Sequence, residues 1–263
     1  MSDSHEVPGA GIFLGVLKSF AGSDIFGEDY GTGAAYVLAL HGWAREHHDF
    51  DATLRSPPSE VTAVGIDLPG FGGTPPPAEV WGSPEYAEAL APVLGSMSDR
   101  FIVLGHSFGG RVAVHLARRF PARVAGLVLT GVPLFRATNV VRKAPFQFTV
   151  VKRLARSGLV SETVLEKYRQ RYGSADYRAA QGIVRDILVK VSNEQYGDVV
   201  SQVECPVELV WGEDDSQVPL VVAERIRHTL PNGANLVVLP GAGHMTPLTA
   251  PGELRAAIER LRE

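Results

Sequence analysis

Cysteine is nearly missing from these 263 residues. The single one, Cys205, excludes a disulfide within the chain and fits a reducing compartment. It stands in VECPVELVW, just ahead of an apolar run, where a free cysteine packs as a small inert hydrophobe. Long apolar runs are missing too: no stretch approaches the ~20 apolar residues that a membrane-spanning helix needs. The amino end carries Asp3 and Glu6 where a secretory signal would carry basic side chains, and Lys18 closes its apolar stretch. Positive charge is not in excess. With a net charge of −4, no basic field points to nucleic acid. There are no internal repeats, and the one biased tract is the short loop GGTPPPAEVWGSP. These absences leave a cytoplasmic globular protein, a monomer or homodimer, without nucleic-acid or membrane partners as the expectation.

What is present is a regular alternation. RFIVLGH (100–106), RVAGLVLTG (123–131), VELVWGE (207–213) and ANLVVLPG (234–241) read as strands, and AAYVLAL (34–40) and VTAVGIDL (61–68) are short and apolar on consecutive positions. That is the pattern of strands buried on both faces. Residues 83–97, 108–119, 218–230 and 249–262 read as helices, the first with Pro84 and Glu85 in its first turn. Alternation of this kind specifies an α/β fold: a mostly parallel central sheet flanked by helices, with right-handed crossovers. Residues 1–10 read as a loose tail, and the glycine-rich 11–33 as one or two weak leading strands. The alternation fails once, after the strand at 123–131. Residues 133–202 show only helical segments such as SETVLEKYRQRYG, and the stretch is too long for a loop. A helical lid (133–202) inserted into a core of 11–132 and 203–263 is expected.

The chemistry begins at the third strong strand. Gly105-His106-Ser107-Phe108-Gly109 fits G-x-S-x-G at a strand-to-helix junction, where a strained turn holds a nucleophilic serine out for attack. In a chain with 28 glycines the pentapeptide alone is a weak signal. A serine hydroxyl also needs a base, and a carboxylate to orient that base. These should follow in the order serine, acid, histidine, each past the end of a strand. VELVW runs into Glu213-Asp214-Asp215 after Gly212, and ANLVVLP runs into His244 after Gly241-Ala242-Gly243. Two backbone N–H groups should bind the developing oxyanion: that of Phe108, and one from the loop LHGWAREH, for which Trp43 is chosen.

Together LALHGW, GIDLPGFGGT, VLGHSFGG, LVWGEDDSQVP and LPGAGHMTPLTAP resemble the α/β-hydrolase fold superfamily. The likeness is to its capped single-domain serine hydrolases: esterases, cofactor-free haloperoxidases and carbon–carbon bond hydrolases. It runs from about 34 to 262, and the lid is the least recognisable part. The resemblance implies that the acid is the aspartate four residues past the tryptophan of W-G-x-x-D, namely Asp215 rather than Asp214. It disfavours the aspartate-nucleophile branches, because position 107 is serine. No cofactor and no metal are expected. His47 and His48 invite a metal reading, but no carboxylate or histidine recurs nearby at ligand spacing, so a solvated loop is the simpler one.

The expected activity is hydrolysis of a carboxylic ester with a small to medium, largely apolar acyl group. Phe146 and Phe148 of the lid, with Trp43, Phe108, Leu134 and Met245, would line the pocket. His41 is counted with that pocket, although its place after a strand suits it to bracing the oxyanion loop. The stretch 136–156 holds six basic residues and no acidic one, a solvated face or an anion site at Arg142 or Lys143. Two other readings stay open. A carbon–carbon hydrolase or lyase would enlist Arg45 and His48, and a non-enzymatic ligand receptor would retain the triad.

Overall fold

A computed structural model of the chain describes residues 17–20, 22–32, 34–55, 61–137, 154, 157, 159–172 and 174–262. Its strands are β1 (Lys18–Ser19), β2 (Phe26–Tyr30), β3 (Ala35–Leu40), β4 (Ala63–Ile66), β5 (Met97–His106), β6 (Val124–Thr130), β7 (Val207–Gly212) and β8 (Asn235–Leu239). They form one sheet in the order β1-β2-β4-β3-β5-β6-β7-β8. Pairing is antiparallel from β1 to β2 and from β2 to β4, and parallel from β4 across to β8. The glycine-rich leader therefore supplies two strands, and the interior of the sheet is the apolar set read from the sequence.

The apolar runs are buried on both faces, except in the edge strand β8, whose residues are part-buried or exposed. Along β3, Leu38 and Leu40 join one hydrophobic cluster with Val103, Val112 and Leu116, while Val37 and Ala39 join a second with Leu104, Leu254 and Ile258. This two-residue period puts the helix Phe108–Arg119 on one face of the sheet and the helix Pro251–Arg260 on the other. The sheet of an α/β fold is thus covered on both sides.

One boundary differs from expectation. The helix expected over 83–97 stops at Leu94, in two pieces (Ser83–Ala89 and Ala91–Leu94), and β5 begins at Met97 rather than 100. Met97 pairs with Ala35, and the Arg123 side chain donates to the carbonyls of Leu94, Ser98 and Asp99 at 3.0, 3.1 and 2.6 Å. These bonds satisfy carbonyls that a continued helix would have used.

Between β6 and β7 the described residues hold helices and no strand: Glu162–Tyr172, Ala175–Ala179, Gly182–Asn193 and Gly197–Val200. They are fastened to the sheet's helices by polar contacts. Arg111 donates to the Val191 carbonyl at 2.8 Å, the Ser83 N–H to Glu194 at 2.9 Å, and the Ser83 and Tyr196 hydroxyls meet at 2.8 Å. The tail 1–10, Arg142, Lys143, Phe146 and Phe148 lie outside the described residues.

Candidate active site

The carboxyl ends of β3, β5, β6, β7 and β8 bring the site together. Ser107 is the single residue between the end of β5 and the helix Phe108–Arg119, with φ 48° and ψ −109°. Among the described residues only two non-glycine residues have positive φ, Ser107 and Ala44 (φ 54°). Both stand here, one at the turn of the serine and one directly after Trp43. Such backbone costs roughly 1–3 kcal/mol and persists only where its surroundings impose it.

Those surroundings are tight. A Cβ on Gly109 would lie 2.0 Å from the Leu40 carbonyl oxygen, and one on Gly105 would lie 2.6 Å from the Gly110 Cα. The helix can therefore enter against β3 only with bare backbone at these positions. The Ser107 N–H donates to the Thr130 carbonyl at 2.9 Å, and the Gly109 N–H to the His41 carbonyl at 3.0 Å, which stitches the turn to both neighbouring strand ends.

Of the acids after β7, Glu213 and Asp214 are exposed while Asp215 is buried. Asp215 Oδ2 lies 2.8 Å from His244 Nδ1, and its Oδ1 accepts the N–H groups of Gln217 and Val218 at 2.9 and 2.8 Å. One carboxylate thus closes the turn before the helix Leu220–Thr229 and holds an imidazole. With Nδ1–H donated to Asp215, Nε2 carries the lone pair of His244. The approach needs space at Gly131, where a Cβ would fall 2.9 Å from the His244 ring and 3.4 Å from Asp215.

Two further histidines sit behind these groups. His106 is buried, with its ring centroid 4.9 Å from that of His244, and its Nε2 donates to the His244 carbonyl at 3.0 Å. Burial, with the neighbouring His244 adding to it, lowers its pKa to about 3. His41 accepts the Leu68 N–H at Nε2 (2.9 Å), so its Nδ1 is protonated and donates to the Gly42 carbonyl at 2.7 Å. Burial lowers its pKa to about 4. Its side chain is 0% exposed and so braces the loop from behind, correcting its place among pocket residues.

That loop lies against the serine: a Cβ on Gly42 would be 3.5 Å from the Ser107 Cβ. Trp43 and Phe108 are ring neighbours at 5.3 Å, and among the described residues no hydrogen bond engages either backbone N–H. Phe71 extends the aromatic wall, 4.9 Å from Trp43 and 6.3 Å from Phe108, and Tyr86 packs on Phe108 at 5.0 Å. The sequence reading did not single out Phe71. Its place just past β4 was the available signal. Leu134 is buried, and it shares a cavity of about 780 Å³ with Arg111, Glu194, Tyr196, Gln217 and Arg225, between the inserted helices and the end of β7. Met245 is partly buried directly after His244.

The residues expected in a solvated loop divide. His48 is exposed, but His47 is buried, its Nδ1 2.7 Å from Asp67 Oδ1. Asp67 also accepts the Gly73 N–H at 2.8 Å and so braces its own loop. Burial also pushes the Cys205 thiol up to about 11, which keeps it protonated and inert.

The sequence model of the alpha/beta hydrolase family matches residues 37–257. The chain belongs to the alpha/beta hydrolase family. Among its relatives is a pimeloyl-(acyl-carrier protein) methyl ester esterase of Aromatoleum aromaticum, 28% identical over 85% of this chain and 96% of that protein. A 2-hydroxy-6-oxononadienedioate/2-hydroxy-6-oxononatrienedioate hydrolase of Burkholderia vietnamiensis is 26% identical over 82% of this chain and 83% of its own length. Among solved structures, a thermophilic esterase from Thermogutta terrifontis superimposes with a TM-score of 0.67 at 27% identity, covering 90% of this alpha/beta hydrolase and 93% of that chain. Among the described residues of the hydrolase, no helix is long and apolar enough to cross a membrane.

Proposed function

We propose that this alpha/beta hydrolase cleaves carboxylic esters through Ser107, His244 and Asp215. The observation that carries the reading is the buried Asp215 held at 2.8 Å from His244, in a fold that sets Ser107 on a backbone of positive φ at the end of β5. In the mechanism, His244 Nε2 takes the proton of Ser107 Oγ as that oxygen attacks the acyl carbon. Asp215 keeps Nδ1 protonated and stabilises the imidazolium. The free N–H groups of Trp43 and Phe108 receive the oxyanion, where losing one donor costs about 10²–10³ in rate. The tetrahedral adduct collapses to an acyl-serine as His244 returns the proton to the departing alkoxide. Water, deprotonated by His244, then releases the acid. The aromatic wall of Trp43, Phe71 and Phe108 favours an apolar acyl group. The inserted helices would act as a lid over it.

The esterase relatives support this reading, and the dienedioate hydrolase is the support for carbon–carbon cleavage. The polar groups which that second reaction would enlist are engaged elsewhere: Arg45 Nε with Asp49 at 2.8 Å, and His48 with Asp51 at 3.2 Å. Hydrolysis of p-nitrophenyl acetate through octanoate tests the proposal. The wild type should turn over and react with a fluorophosphonate at Ser107. Ser107→Ala should lose both, and Asp215→Asn should fall by about 10⁴ in kcat. A wild type without turnover and without label on Ser107 would sink the reading.

A further inference from the structure

We propose that Glu28, His47 and His48 form a binding site for a divalent transition-metal ion of the zinc class, apart from the serine site. One ligand atom of each residue lies within 4.8 Å of the other two. Tetrahedral zinc with bonds of about 2.0–2.1 Å needs its donors roughly 3.3 Å apart, so a small inward movement completes the set. Glu28 comes from the middle of β2, while His47 and His48 open the short 3₁₀ helix His47–Phe50 that follows the oxyanion loop.

Each imidazole has a carboxylate at its Nδ1, as metal-ligating histidines commonly do. His47 Nδ1 lies 2.7 Å from Asp67 Oδ1, which leaves its Nε2 lone pair 3.7 Å from Glu28 Oε2. His48 Nδ1 lies 3.2 Å from Asp51 Oδ2, so its Nε2 is the nitrogen left to bind. The two rings lie 4.0 Å apart between centroids, tilted by 37°. A carboxylate behind each ligating histidine fixes tautomer and ring angle and raises ligand basicity.

The third donor shows what is wanting. Glu28 is 2% exposed, and its Oε1 is paired with Arg55. Among the described residues, its buried Oε2 has no hydrogen-bond partner. Such an atom is costly to leave unmade, and a cation supplies the missing partner. Two imidazoles with one carboxylate suit zinc and its first-row neighbours, whereas magnesium and calcium take all-oxygen shells. The His48 side chain is half exposed, which gives the ion an entry path and leaves room for water at the remaining position. A bound ion would tie the antiparallel edge of the sheet to the segment next to the loop that carries Trp43. Sequence spacing hid the site, because Glu28 lies far upstream and reaches the histidines only through the β2–β4 pairing.

The test uses the full chain without a histidine tag, stripped with EDTA and desalted. Zn²⁺ is titrated in competition with a chromophoric chelator, and Co²⁺ is added separately to read its visible absorption. The proposal expects one equivalent bound at micromolar affinity or tighter, with Co²⁺ bands of nitrogen–oxygen ligation. His48→Ala, at an exposed position, and Glu28→Gln should each weaken binding at least tenfold and lose the bands, while Ser107→Ala binds as the wild type does. No uptake at a hundredfold excess of Zn²⁺ overturns the site in favour of a protonated His47 paired with Glu28. Unchanged affinity in a folded His48→Ala overturns it as well, whether or not Glu28→Gln folds.

Discussion

Gly109 and Gly110 stand side by side in the first turn after Ser107, yet the crowding around them differs in kind. A Cβ on Gly109 meets backbone: the Leu40 carbonyl oxygen at 2.0 Å and its carbon at 2.4 Å. The three atoms nearest a Cβ on Gly110 all belong to the Val132 side chain: Cγ2 at 2.2 Å, Cγ1 at 2.8 Å and Cβ at 3.0 Å. Backbone in a central strand cannot yield, whereas a valine just past a strand end can shift with its loop. Gly110→Ala is therefore an overpacking change of about 1–3 kcal/mol, eased by up to about 1 kcal/mol of helix propensity. Gly109→Ala must push the helix off β3 and should cost more than about 4 kcal/mol, or prevent folding. Urea denaturation of the two variants checks the ranking. Equal midpoints, or a more stable Gly109→Ala, would refute the steric account of the turn.

At the scale of elements, the inserted helices join the core through Ile187, Val191, Tyr196, Val199 and Val200, and a few polar contacts pin them in place. Arg111 is central among them. It donates to Val191 and Pro133 carbonyls at 2.8 and 3.1 Å and lies 5.4 Å over the Tyr196 ring. Its removal leaves two carbonyls without that donor and should cost about 1–3 kcal/mol locally. In Arg111→Ala, hydrogen–deuterium exchange across 182–200 should speed up by roughly tenfold or more, with the amides of β3 and β5 unchanged. A uniform rise across the whole chain, or no rise at all, would count against this division. The same scale shows what could be read in advance. β3 and β4 were legible because strands buried on both faces are apolar throughout, β7 because only Glu208 interrupts its apolar run, and the ends of β5, β7 and β8 pointed to Ser107, Asp215 and His244. The first residues of β5 were not legible: Ser98, Asp99 and Arg100 are polar and only part-buried or exposed, so they show no apolar pattern. Ala44 carries no glycine to announce its φ of 54°, and the contact of His47 with Asp67 spans 20 residues, so only the folded sheet brings them together.

For the molecule as a whole, the two histidines behind the site set how stability depends on pH. His41 and His106 are held neutral in the fold, with pKa values of about 4 and about 3 against an ordinary 6.5. Asp67, Asp49 and His47 face His41, and His244, Asp49 and Asp215 face His106. Desolvation outweighs the carboxylates among them in both cases. A depressed folded pKa means that the unfolded chain binds protons the native state refuses. The stabilisation is complete above about pH 6.5 and is lost as pH falls towards the folded values. Two such groups should remove roughly 2–4 kcal/mol between pH 7 and pH 5, because a proton taken up only on unfolding is worth about 1.4 kcal/mol for each tenfold rise in acidity. His47 opposes them. Burial lowers its pKa but the Asp67 hydrogen bond and charge raise it further, so its share is present at low pH and fades as pH rises. Asp67 itself is held below the ordinary carboxylate range against the pull of burial, by its bonds to His47 and Gly73, and it gives way only at still lower pH. Between pH 7 and pH 5 the two buried rings therefore outnumber their opponent, and the urea midpoint should fall steadily across that window. Ring-nitrogen NMR at pH 5 should show His41 still neutral, with its proton on Nδ1. A midpoint that stays level or rises, with His41 charged at pH 5, would mean that the rings are not the groups that limit the fold in acid.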